Sequence, residues 1–289
     1  MYTVDNAVIM AAGTASRFAP LSYEKPKALI TVKGEVLIER QIRQLKEAGI
    51  SNIYVVVGYK AEMFFYLEQK YGVHIVYNHD FLFRNNNASI YAVKDVLKNS
   101  YICSADNYFS QNPFEKEVAE CYYAAVYADG PTKEWCMETD KDNVICKVEI
   151  GGENAWYMLG HTFWDETFSK TFLEILEREY DLPETAACLW ESIYIKHIHE
   201  LRMKIRKYES DVIFEFDTLD ELREFDDSYI TDTRSDILKY VADQLRCQEK
   251  DILEVTAYKD ETNEAAGFTC RYGKEVYKYS YKDRVLRRQ

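Results

Sequence analysis

The sequence of 289 residues lacks a surplus of positive charge, a long apolar run and a Cys-x-x-Cys pair. Its formal net charge is −13 and its isoelectric point is about 5.0. Nucleic-acid binding uses lysine and arginine to neutralise phosphates, so this charge argues against a nucleic-acid partner. The N-terminus is polar, and the first apolar run is far shorter than a bilayer span. We therefore expect neither a secretory signal nor membrane insertion.

Cysteine usage indicates a reducing compartment. The seven cysteines are scattered and odd in number. This pattern is typical of free thiols in a cytoplasmic protein, and it disfavours disulfides or a metal–thiolate site. The length is sufficient to bury a sizeable core and fits one large domain, with or without an appended module. The resulting prediction is a cytoplasmic protein.

The first hundred residues alternate between strand and helix patterns. They predict strands at Ala7–Met10, Ile53–Val57, His74–Tyr77 and Tyr101–Ser104, and helices at Leu37–Leu45, Ala61–Lys70 and Ser89–Leu97. This order predicts an α/β fold with a doubly wound, mostly parallel sheet and right-handed crossovers. Ligands of such sheets bind beyond the carboxyl ends of the strands. The loop after Met10 and the segment Ser104–Asn107 both fall at such ends.

From Cys121 onwards the pattern changes to longer, aromatic-rich segments. It predicts strands at Tyr122–Tyr127, Val144–Ile150, Ala155–Phe163, Met203–Tyr208 and Val212–Phe216, and helices at Glu166–Tyr180, Thr185–His197 and Leu219–Phe225. The expected organisation is a main domain of residues 1–232 and a small α+β C-terminal module of residues 233–289. Within the module we predict a helix to about Cys247, a strand at Ile252–Tyr258 and a hairpin connector at Lys259–Asn263. The sequence assigns this module no legible role.

The loop after the first strand is rich in small residues and is followed by two well-separated cations. It reads Ala11-Ala-Gly-Thr-Ala-Ser-Arg17, and Lys27 follows ten residues later. Neither Gly-x-Gly-x-x-Gly nor Gly-Lys-Ser/Thr, the signatures of other nucleotide-binding loops, stands here. Small residues let backbone N–H groups turn towards anionic oxygens, while Arg17 offers a forked donor and Lys27 a point charge. The stretch favours a polyphosphate site over an ordinary loop with exposed cations.

This loop resembles the signature of the nucleotidyltransferases that make nucleoside-diphosphate sugars and alcohols. The shared residues are Ala11-Ala12-Gly13, Ser16-Arg17, Pro20-Leu21 and Pro26-Lys27-Ala-Leu29. Ala15 replaces the family's second glycine. Further matches continue in order to about Phe225, among them Gln41, Gly58-Tyr59, Asn85-Asn86, Ser89, Ala105-Asp106-Asn107, Glu134-Trp135 and Glu215-Phe-Asp217. Together they look most like the bacterial CTP:phosphocholine cytidylyltransferases, whose fold is nucleotide-diphospho-sugar transferase-like.

The resemblance implies Mg²⁺-assisted, in-line transfer of CMP from CTP to phosphocholine, with release of pyrophosphate and formation of CDP-choline. Lys27, Arg17 and Asp106 would be catalytic, with Lys27 at the α-phosphoryl group and Arg17 at the departing pyrophosphate. The implied nucleotide contacts are Ala12, Gly13, Thr14, Ala15, Ser16, Arg17, Asn86 and Ser89. The preference for cytosine rests on the resemblance alone. Asn85–Asn87 also fits a turn before a helix that begins near Ser89.

Three acidic residues are the candidate magnesium ligands. Asp106 ends a buried strand, where an acidic side chain costs free energy unless it is bound. Glu215 and Asp217 are two apart in a strand-like stretch, so we expect both on one face. Three converging carboxylates suit Mg²⁺ shared with substrate phosphates. Spacing alone leaves a solvated strand edge equally open for Glu215 and Asp217, and the family's Glu-x-Asp favours the metal role.

The candidate acceptor pocket combines aromatic and acidic residues. A quaternary ammonium cannot donate hydrogen bonds, so proteins hold it with aromatic faces and carboxylates. The second half of the chain offers Asp129, Trp135, Tyr157, Trp164, Trp190 and Glu191. Glu191 stands where aspartate is expected from the family, and Leu189 where tyrosine is expected. Each tryptophan taken singly favours a core position, whereas the group with two carboxylates favours a choline cage.

These departures leave other acceptors open, namely phosphoethanolamine, an aminoalkylphosphonate or a sugar 1-phosphate. A more distant alternative is a non-catalytic, nucleotide-binding regulatory protein, which the presence of Lys27, Asp106 and Asp217 disfavours. The expected partners are CTP and a phosphorylated small alcohol, and the expected cofactor is Mg²⁺. The sequence does not predict an oligomeric state, and a homo-oligomer is one alternative.

Overall fold

The structure is a computed structural model that describes residues 1–261 and 265–289. The end of the predicted connector Lys259–Asn263 therefore lies outside the described residues. The strands are β1 (Tyr2–Thr3), β2 (Asn6–Ala11), β3 (Thr31–Val32), β4 (Glu35–Val36), β5 (Ile53–Val57), β6 (His74–Tyr77), β7 (Ser100–Ser104), β8 (Tyr108–Phe109), β9 (Glu117–Val118), β10 (Tyr122–Thr139), β11 (Ile145–Trp164), β12 (Lys204–Tyr208), β13 (Ile213–Phe214), β14 (Ile252–Lys259), β15 (Ala265–Tyr272), β16 (Glu275–Ser280) and β17 (Val285–Arg288). The α-helices are α1 (Leu21–Glu24), α2 (Leu37–Glu47), α3 (Tyr66–Tyr71), α4 (Asn87–Ala92), α5 (Glu166–Glu179), α6 (Pro183–Ala186), α7 (Trp190–Lys196), α8 (Leu219–Phe225), α9 (Ser228–Thr231) and α10 (Asp236–Leu245). Short 3₁₀ helices lie at Ser16–Phe18, Lys27–Leu29, Ala61–Phe64, Lys94–Val96 and Glu249–Asp251.

A seven-stranded sheet organises most of the chain, in the order β12-β10-β11-β7-β2-β5-β6. Strands β2, β5, β6 and β7 run parallel, and β12 is parallel to β10. Strand β11 is antiparallel to both of its neighbours. The β-branched run of β5 is almost entirely buried, as expected for a strand covered on both faces. The predicted α/β fold with a mostly parallel sheet is confirmed.

The register of the parallel strands brings two candidate segments to one edge of the sheet. Met10 near the end of β2 pairs with Ser104 at the end of β7, and the amide of Ala105 donates to the carbonyl of Met10 at 3.2 Å. The chain therefore leaves both strands at neighbouring points. Gly13 follows the first strand and Asp106 follows the second, which is the arrangement that the sequence predicts.

A long hairpin of β10 and β11 replaces several shorter predicted strands. The segments Val144–Ile150 and Ala155–Phe163 were expected to be separate strands, and this expectation is wrong because both belong to β11. The residues between them stay in the ladder, where Gly152 pairs with Thr132 and Glu153 pairs with Pro131. Shifts of register along the hairpin accommodate the irregular stretch, and the strand continues through it.

The predicted helix Thr185–His197 is also corrected, because it is interrupted. Helix α6 begins with Pro183, whose fixed φ suits a first turn. Leu189 then adopts an extended conformation with φ −68° and ψ 155° before α7 starts at Trp190. The break at Leu189 makes Trp190 and Glu191 the first residues of a new helix.

The main core lies where α5 and α7 pack on the sheet. Asp165 caps the N-terminus of helix α5, and its carboxylate accepts a hydrogen bond from the Phe168 amide at 2.8 Å. Phe168 and Phe172, one helical turn apart, then contact the ring of Trp164. Trp190 packs edge-on against Trp164 with ring centroids 5.1 Å apart. These aromatic side chains form one buried cluster.

Contacts divide the described chain into two compact units. The first comprises Met1–Gly13 and Leu37–Glu215, and the second comprises Thr14–Val36 and Phe216–Gln289. The second unit contains an antiparallel sheet in the order β14-β15-β16-β17. Most of the signature loop thus belongs to the same unit as residues 233–289. The sequence-based domain boundary after Asp232 is a different division, and it stays a prediction.

Across residues 1–261 and 265–289, no helix combines the length and the apolar composition needed to cross a lipid bilayer.

Candidate active site

The signature loop is a short turn whose geometry depends on Ala15. Ala15 lies in the left-handed region with φ 45° and ψ 45°, and its carbonyl accepts a hydrogen bond from the Phe18 amide at 2.9 Å. The 3₁₀ helix Ser16–Phe18 follows directly. Glycine adopts this conformation readily, whereas an alanine there is strained. The position at which the family has glycine is thus one where glycine's freedom would be used.

Two predicted phosphate-binding cations meet at one carboxylate in the second unit. Arg17 Nη1 lies 2.6 Å from Asp217 Oδ2, and Lys27 Nζ lies 3.8 Å from Asp217 Oδ1. The Lys27 side chain is 6% exposed and that of Arg17 is 76% exposed. Asp217 thus brings the guanidinium of Arg17 and the ammonium of Lys27 together, in a chain whose net charge is −13. Two fixed cations at one place can attract an anionic ligand against the overall charge.

Asp217 is held at the start of helix α8. The Asp217 amide donates to Glu221 Oε2 at 2.7 Å, and the Thr218 amide donates to the same oxygen at 3.0 Å. The Glu221 amide in turn donates to the Thr218 hydroxyl at 3.2 Å, which completes a capping box. The expectation that Glu215 and Asp217 lie on one face of a strand is wrong, because β13 ends at Phe214.

A buried glutamine fixes the segment that carries Asp106. Gln41 on α2 donates from Nε2 to the carbonyls of Ser104 at 2.8 Å and Asn107 at 2.9 Å. These two carbonyls bracket Asp106. Asn107 Nδ2 in turn donates to Glu215 Oε2 at 3.4 Å. Within the first unit, the structure therefore connects the segments of two predicted metal ligands, Asp106 and Glu215.

The three candidate magnesium ligands are distributed over both units. In the part of the chain that the structure describes, no group of three or more His, Cys, Asp or Glu side chains is arranged to hold a metal ion. The metal-binding roles of Asp106, Glu215 and Asp217 stay predictions. Glu215 and Asp217 fall in different units, although a single residue separates them in the chain. Mg²⁺ commonly takes only one or two protein carboxylates and completes its shell with phosphates and water.

Asn86 and Ser89, the predicted base-contacting side chains, have partners within the protein. The Asn86 side chain accepts from the Trp190 amide at 2.7 Å and donates to Glu191 Oε2 at 3.1 Å. Ser89 is buried inside α4, rather than at its start, and accepts from Asn78 Nδ2 at 3.2 Å. Both contacts serve packing within the first unit. The predicted contacts of Asn86 and Ser89 with a base stay predictions.

Glu191, one of the predicted acceptor-pocket residues, is the centre of a polar group. It is half-buried, and Tyr123 donates from its hydroxyl to Glu191 Oε1 at 3.3 Å. Burial raises the pKa of Glu191 to about 7, against the opposing effect of hydrogen bonds from Asn86 and Tyr123. Burial, and after it the charges of Glu191 and Glu215, raises the pKa of Tyr123. Glu191 and Glu215 thus both act on one tyrosine.

The proposed choline cage is only partly supported by the positions of its aromatic rings. Trp164 is 0% exposed and Trp190 is 1% exposed, so both are core residues and neither offers an open ring face. This corrects the cage expectation for those two residues, because their rings pack on each other and on Phe172. Trp135 is half-buried and packs against the main core, while Asp129 is exposed on β10.

Tyr157, another predicted acceptor-pocket residue, has acidic neighbours. It is half-buried on β11. Burial, and after it the charges of Glu134 and Glu215, raises the pKa of Tyr157. Tyr157 and Tyr123 therefore feel the charge of the same carboxylate, Glu215. Aromatic rings close to carboxylates are the chemistry that recognises an organic cation.

Two candidate functional residues, Gln41 and Tyr123, were not predicted from the sequence. Gln41 is part of the family match, yet its sequence shows only a polar residue on a predicted amphipathic helix. Tyr123 lies in a predicted strand, and nothing in the strand pattern shows that its hydroxyl meets Glu191. For Gln41 a sequence signal did exist, because helical spacing places it on the same face as Ile38, Ile42 and Leu45, and an amide buried with them needs partners.

The comparisons with known proteins identify the class first. A protein-family model described as a MobA-like NTP transferase domain matches residues 7–135. Together with the mostly parallel sheet and the signature loop, this match defines a nucleotidyltransferase.

Sequence relatives and a solved structure identify the family within this class. The chain is 34% identical over 221 residues to the choline-phosphate cytidylyltransferase of Streptococcus pneumoniae (strain ATCC BAA-255 / R6), covering 76% of this chain and 96% of the relative. It is 36% identical over 235 residues to the 2-aminoethylphosphonate cytidylyltransferase of Lancefieldella rimae, covering 80% and 95%. A solved CTP:phosphocholine cytidylyltransferase from Streptococcus pneumoniae matches with a TM-score of 0.75 and 33% identity, over 78% of this chain and 99% of that one. The chain belongs to the choline-phosphate cytidylyltransferase family.

Replacing Ala15 by glycine tests the strain in the signature loop. The left-handed conformation costs an alanine roughly 1–2 kcal/mol. Glycine avoids this cost, but its greater conformational freedom in the unfolded chain offsets about 0.5–1 kcal/mol of the gain in stability. We expect Ala15→Gly to raise the free energy of unfolding by about 0.5–1 kcal/mol, measured by denaturant titration. Ala187→Gly is the control, because Ala187 is exposed at an ordinary φ of −83°. It should lower stability, and a loss of stability in Ala15→Gly would contradict the argument.

A substitution at Gln41 tests its effect on the Asp106 segment. Gln41→Leu removes the hydrogen-bond donor of the Ser104 and Asn107 carbonyls. This should lower the free energy of unfolding by roughly 1–3 kcal/mol for each carbonyl that stays buried. We expect both stability and the kcat of nucleotidyl transfer to fall, with kcat reduced at least tenfold in protein that remains folded. The matched control is Gln44→Leu on the same helix. It removes one buried hydrogen bond of 3.1 Å, from Gln44 Nε2 to the carbonyl of Phe109. Equal kcat losses in the two variants would show that Gln41 acts through stability alone.

Proposed function

We propose that the protein transfers CMP from CTP to phosphocholine, yielding CDP-choline and pyrophosphate. The observation that carries this proposal is the meeting of Arg17 and Lys27 at Asp217 in the signature loop's unit. The printed activity of the relative from Streptococcus pneumoniae supports the choice of substrates. The acidic and aromatic surroundings of Glu191 support a cationic acceptor.

The chemistry requires no nucleophile from the protein. An oxygen of the acceptor phosphate attacks the α-phosphorus of CTP, a new P–O bond forms, and the bond to the β-phosphate bridging oxygen breaks. Lys27 would offset the charge that develops on the α-phosphoryl oxygens, and Arg17 would hold the departing pyrophosphate. In the structure both cations face Asp217, so a bound triphosphate would compete with that carboxylate for them.

We infer that Asp106, Glu215 and Asp217 supply carboxylate ligands to Mg²⁺ together with the substrate phosphates. Their oxygen atoms are the hard donors that Mg²⁺ prefers. Mg²⁺ commonly takes one or two protein carboxylates and completes its shell with phosphate oxygens and water. When bound, the ion would neutralise phosphate charge. Ala12, Gly13, Thr14 and Ser16 would contact the nucleotide through the loop backbone, as the resemblance implies.

The acceptor's cationic group is assigned to the neighbourhood of Glu191, Tyr123 and Tyr157. Trp135 and Asp129 remain proposed contacts on the same strand pair. Because Trp164 and Trp190 are buried, the aromatic contribution comes from tyrosines more than the sequence suggested. A nearby fixed cation stabilises the charged form of a carboxyl group whose pKa is about 7, and so lowers that pKa.

A second candidate acceptor is 2-aminoethylphosphonate, the substrate named for the relative from Lancefieldella rimae. Its primary ammonium can donate hydrogen bonds, and Glu191 has two acceptor oxygens that each retain lone-pair capacity. The burial of Trp164 and Trp190 removes part of the aromatic surface that a quaternary ammonium would use. These two observations favour the phosphonate as the runner-up.

We propose a cytoplasmic location for this reaction. All seven cysteines are unpaired, and Cys103, Cys121 and Cys270 are buried thiols whose pKa is raised by burial. Free buried thiols are typical of proteins from a reducing compartment.

A substrate screen tests the proposed activity. We expect pyrophosphate release with CTP and phosphocholine, and a lower kcat/KM with 2-aminoethylphosphonate, phosphoethanolamine and a sugar 1-phosphate. Lys27→Ala should lower kcat about 10²–10³-fold, since it removes a preorganised charge at the reacting phosphate. Lys25→Ala is the matched control, because Lys25 is exposed two residues away. A higher kcat/KM for 2-aminoethylphosphonate would select the second candidate, and full activity in Lys27→Ala would overturn the role of Lys27.

The pH dependence of acceptor binding tests Glu191. Below pH 7 its carboxyl is mostly protonated, and above pH 7 it is charged, so a cationic acceptor should bind better as pH rises. We expect the KM for phosphocholine to fall about fivefold between pH 6 and pH 8 if the contact with the charged carboxylate is worth ~1.4 kcal/mol, since this interval covers most of the titration of Glu191. The acceptor phosphate also ionises near pH 6, and Glu191→Gln isolates that part. An unchanged pH profile in Glu191→Gln would remove Glu191 from the acceptor site.

A further inference from the structure

The C-terminal module, residues 233–289, packs on the loop that carries Lys27. Both belong to the second unit. Around Phe268, which is fully buried, the module gathers Tyr279 and Tyr281 into an aromatic core. About a quarter of this chain has no counterpart in the choline-phosphate cytidylyltransferase relative, which covers 76% of it. The sequence resemblance ends near Phe225, before the module begins.

Two contacts hold the loop just before Lys27. Tyr281 stacks on Tyr23 with ring centroids 3.7 Å apart and planes 10° from parallel. The amide of Ile237, in the first turn of α10, donates to Glu24 Oε1 at 3.2 Å. One contact comes from the module's aromatic core and the other from its helix. The residues immediately before Lys27 are thus attached to two separate parts of the module.

A further contact holds the loop just after Lys27. Arg234 donates from Nη1 to the carbonyl of Thr31 at 2.8 Å. Tyr229 donates from its hydroxyl to the same carbonyl at 2.7 Å. The Arg234 guanidinium also lies over the Tyr229 ring, 4.2 Å from its centroid. The loop is thereby attached to the module on both sides of the short helix Lys27–Leu29.

These attachments matter because Lys27 must present its charge at a defined place. An aromatic pair contributes ≈ 0.5–1.5 kcal/mol beyond its burial, and a hydrogen bond contributes a similar amount. Several such contacts on both sides of Lys27 restrict the backbone that carries it. A misplaced catalytic group can lower a rate far more than it lowers stability.

We propose that the C-terminal module is a positioning element for the triphosphate-binding loop, and that it sets the placement of Lys27 through Tyr281, Ile237 and Arg234. The inference rests on the proposed phosphate role of Lys27. It gives the module a task in nucleotide turnover, with Tyr23 as the loop residue that receives the aromatic contact.

The test uses the full chain and separates the ring contact from the hydroxyl. Tyr23→Ala should lower kcat/KM for CTP about tenfold while leaving the KM for phosphocholine unchanged, and Tyr23→Phe should restore the wild-type value. Arg234→Ala, which removes the contact on the other side of Lys27, should act in the same direction. Tyr240→Ala is the control, because Tyr240 is an exposed tyrosine of the same module that does not stack on the loop. Thermal unfolding shows which variants remain folded.

A double-variant cycle distinguishes positioning from a general loss of stability. If Tyr23 acts through Lys27, Tyr23→Ala should cause little further loss of kcat in a Lys27→Ala background. A full tenfold additional loss there would overturn the proposal, as would wild-type kcat/KM in both Tyr23→Ala and Arg234→Ala. If Lys27→Ala itself retains full activity, the proposed function fails at Lys27. If Lys27→Ala is inactive and the module variants are normal, only the positioning role fails.

Discussion

The proposed chemistry depends on one carboxylate held between two cations. Lys27 is almost fully buried, and a buried ammonium is costly unless a partner compensates it. Asp217 provides that partner, and the same carboxylate contacts the exposed Arg17. The arrangement keeps both cations at one place. It also means that the site is preorganised by a group that an incoming triphosphate has to displace or share.

The placement of Asp217 depends on a helix start, and that of Lys27 depends on contacts with residues 233–289. The capping box of Thr218 and Glu221 fixes the backbone of Asp217, while the contacts of residues 233–289 hold the loop around Lys27. On the first unit, Gln41 holds the backbone on both sides of Asp106. In each case a neighbouring element sets the position of a charged side chain through main-chain contacts.

Much of the fold and part of the site could be predicted from residue types and spacing. The β-branched run Ile53–Val57 predicts its own strand, and small residues followed by Arg17 and Lys27 predict an anion site. The environment of Trp164 and Trp190 could not be predicted, because ring exposure depends on packing between distant segments. The end of β13 before Glu215 was not predicted, although Thr218-x-x-Glu221 signals a helix start three residues after Glu215. Contacts such as Tyr123 with Glu191 join segments that no local pattern relates.

The second unit is assembled from two stretches of chain, Thr14–Val36 and Phe216–Gln289, with the long segment of the first unit between them. During synthesis the loop leaves the ribosome before the long segment of the first unit, whereas its packing partners Arg234, Ile237 and Tyr281 are translated only after that segment. Non-local pairings of this kind form slowly, because a large loop must close first. The nascent chain can therefore complete its parallel sheet before the loop that carries Lys27 reaches its native conformation. The ability to bind a nucleotide would then be acquired after the sheet has formed.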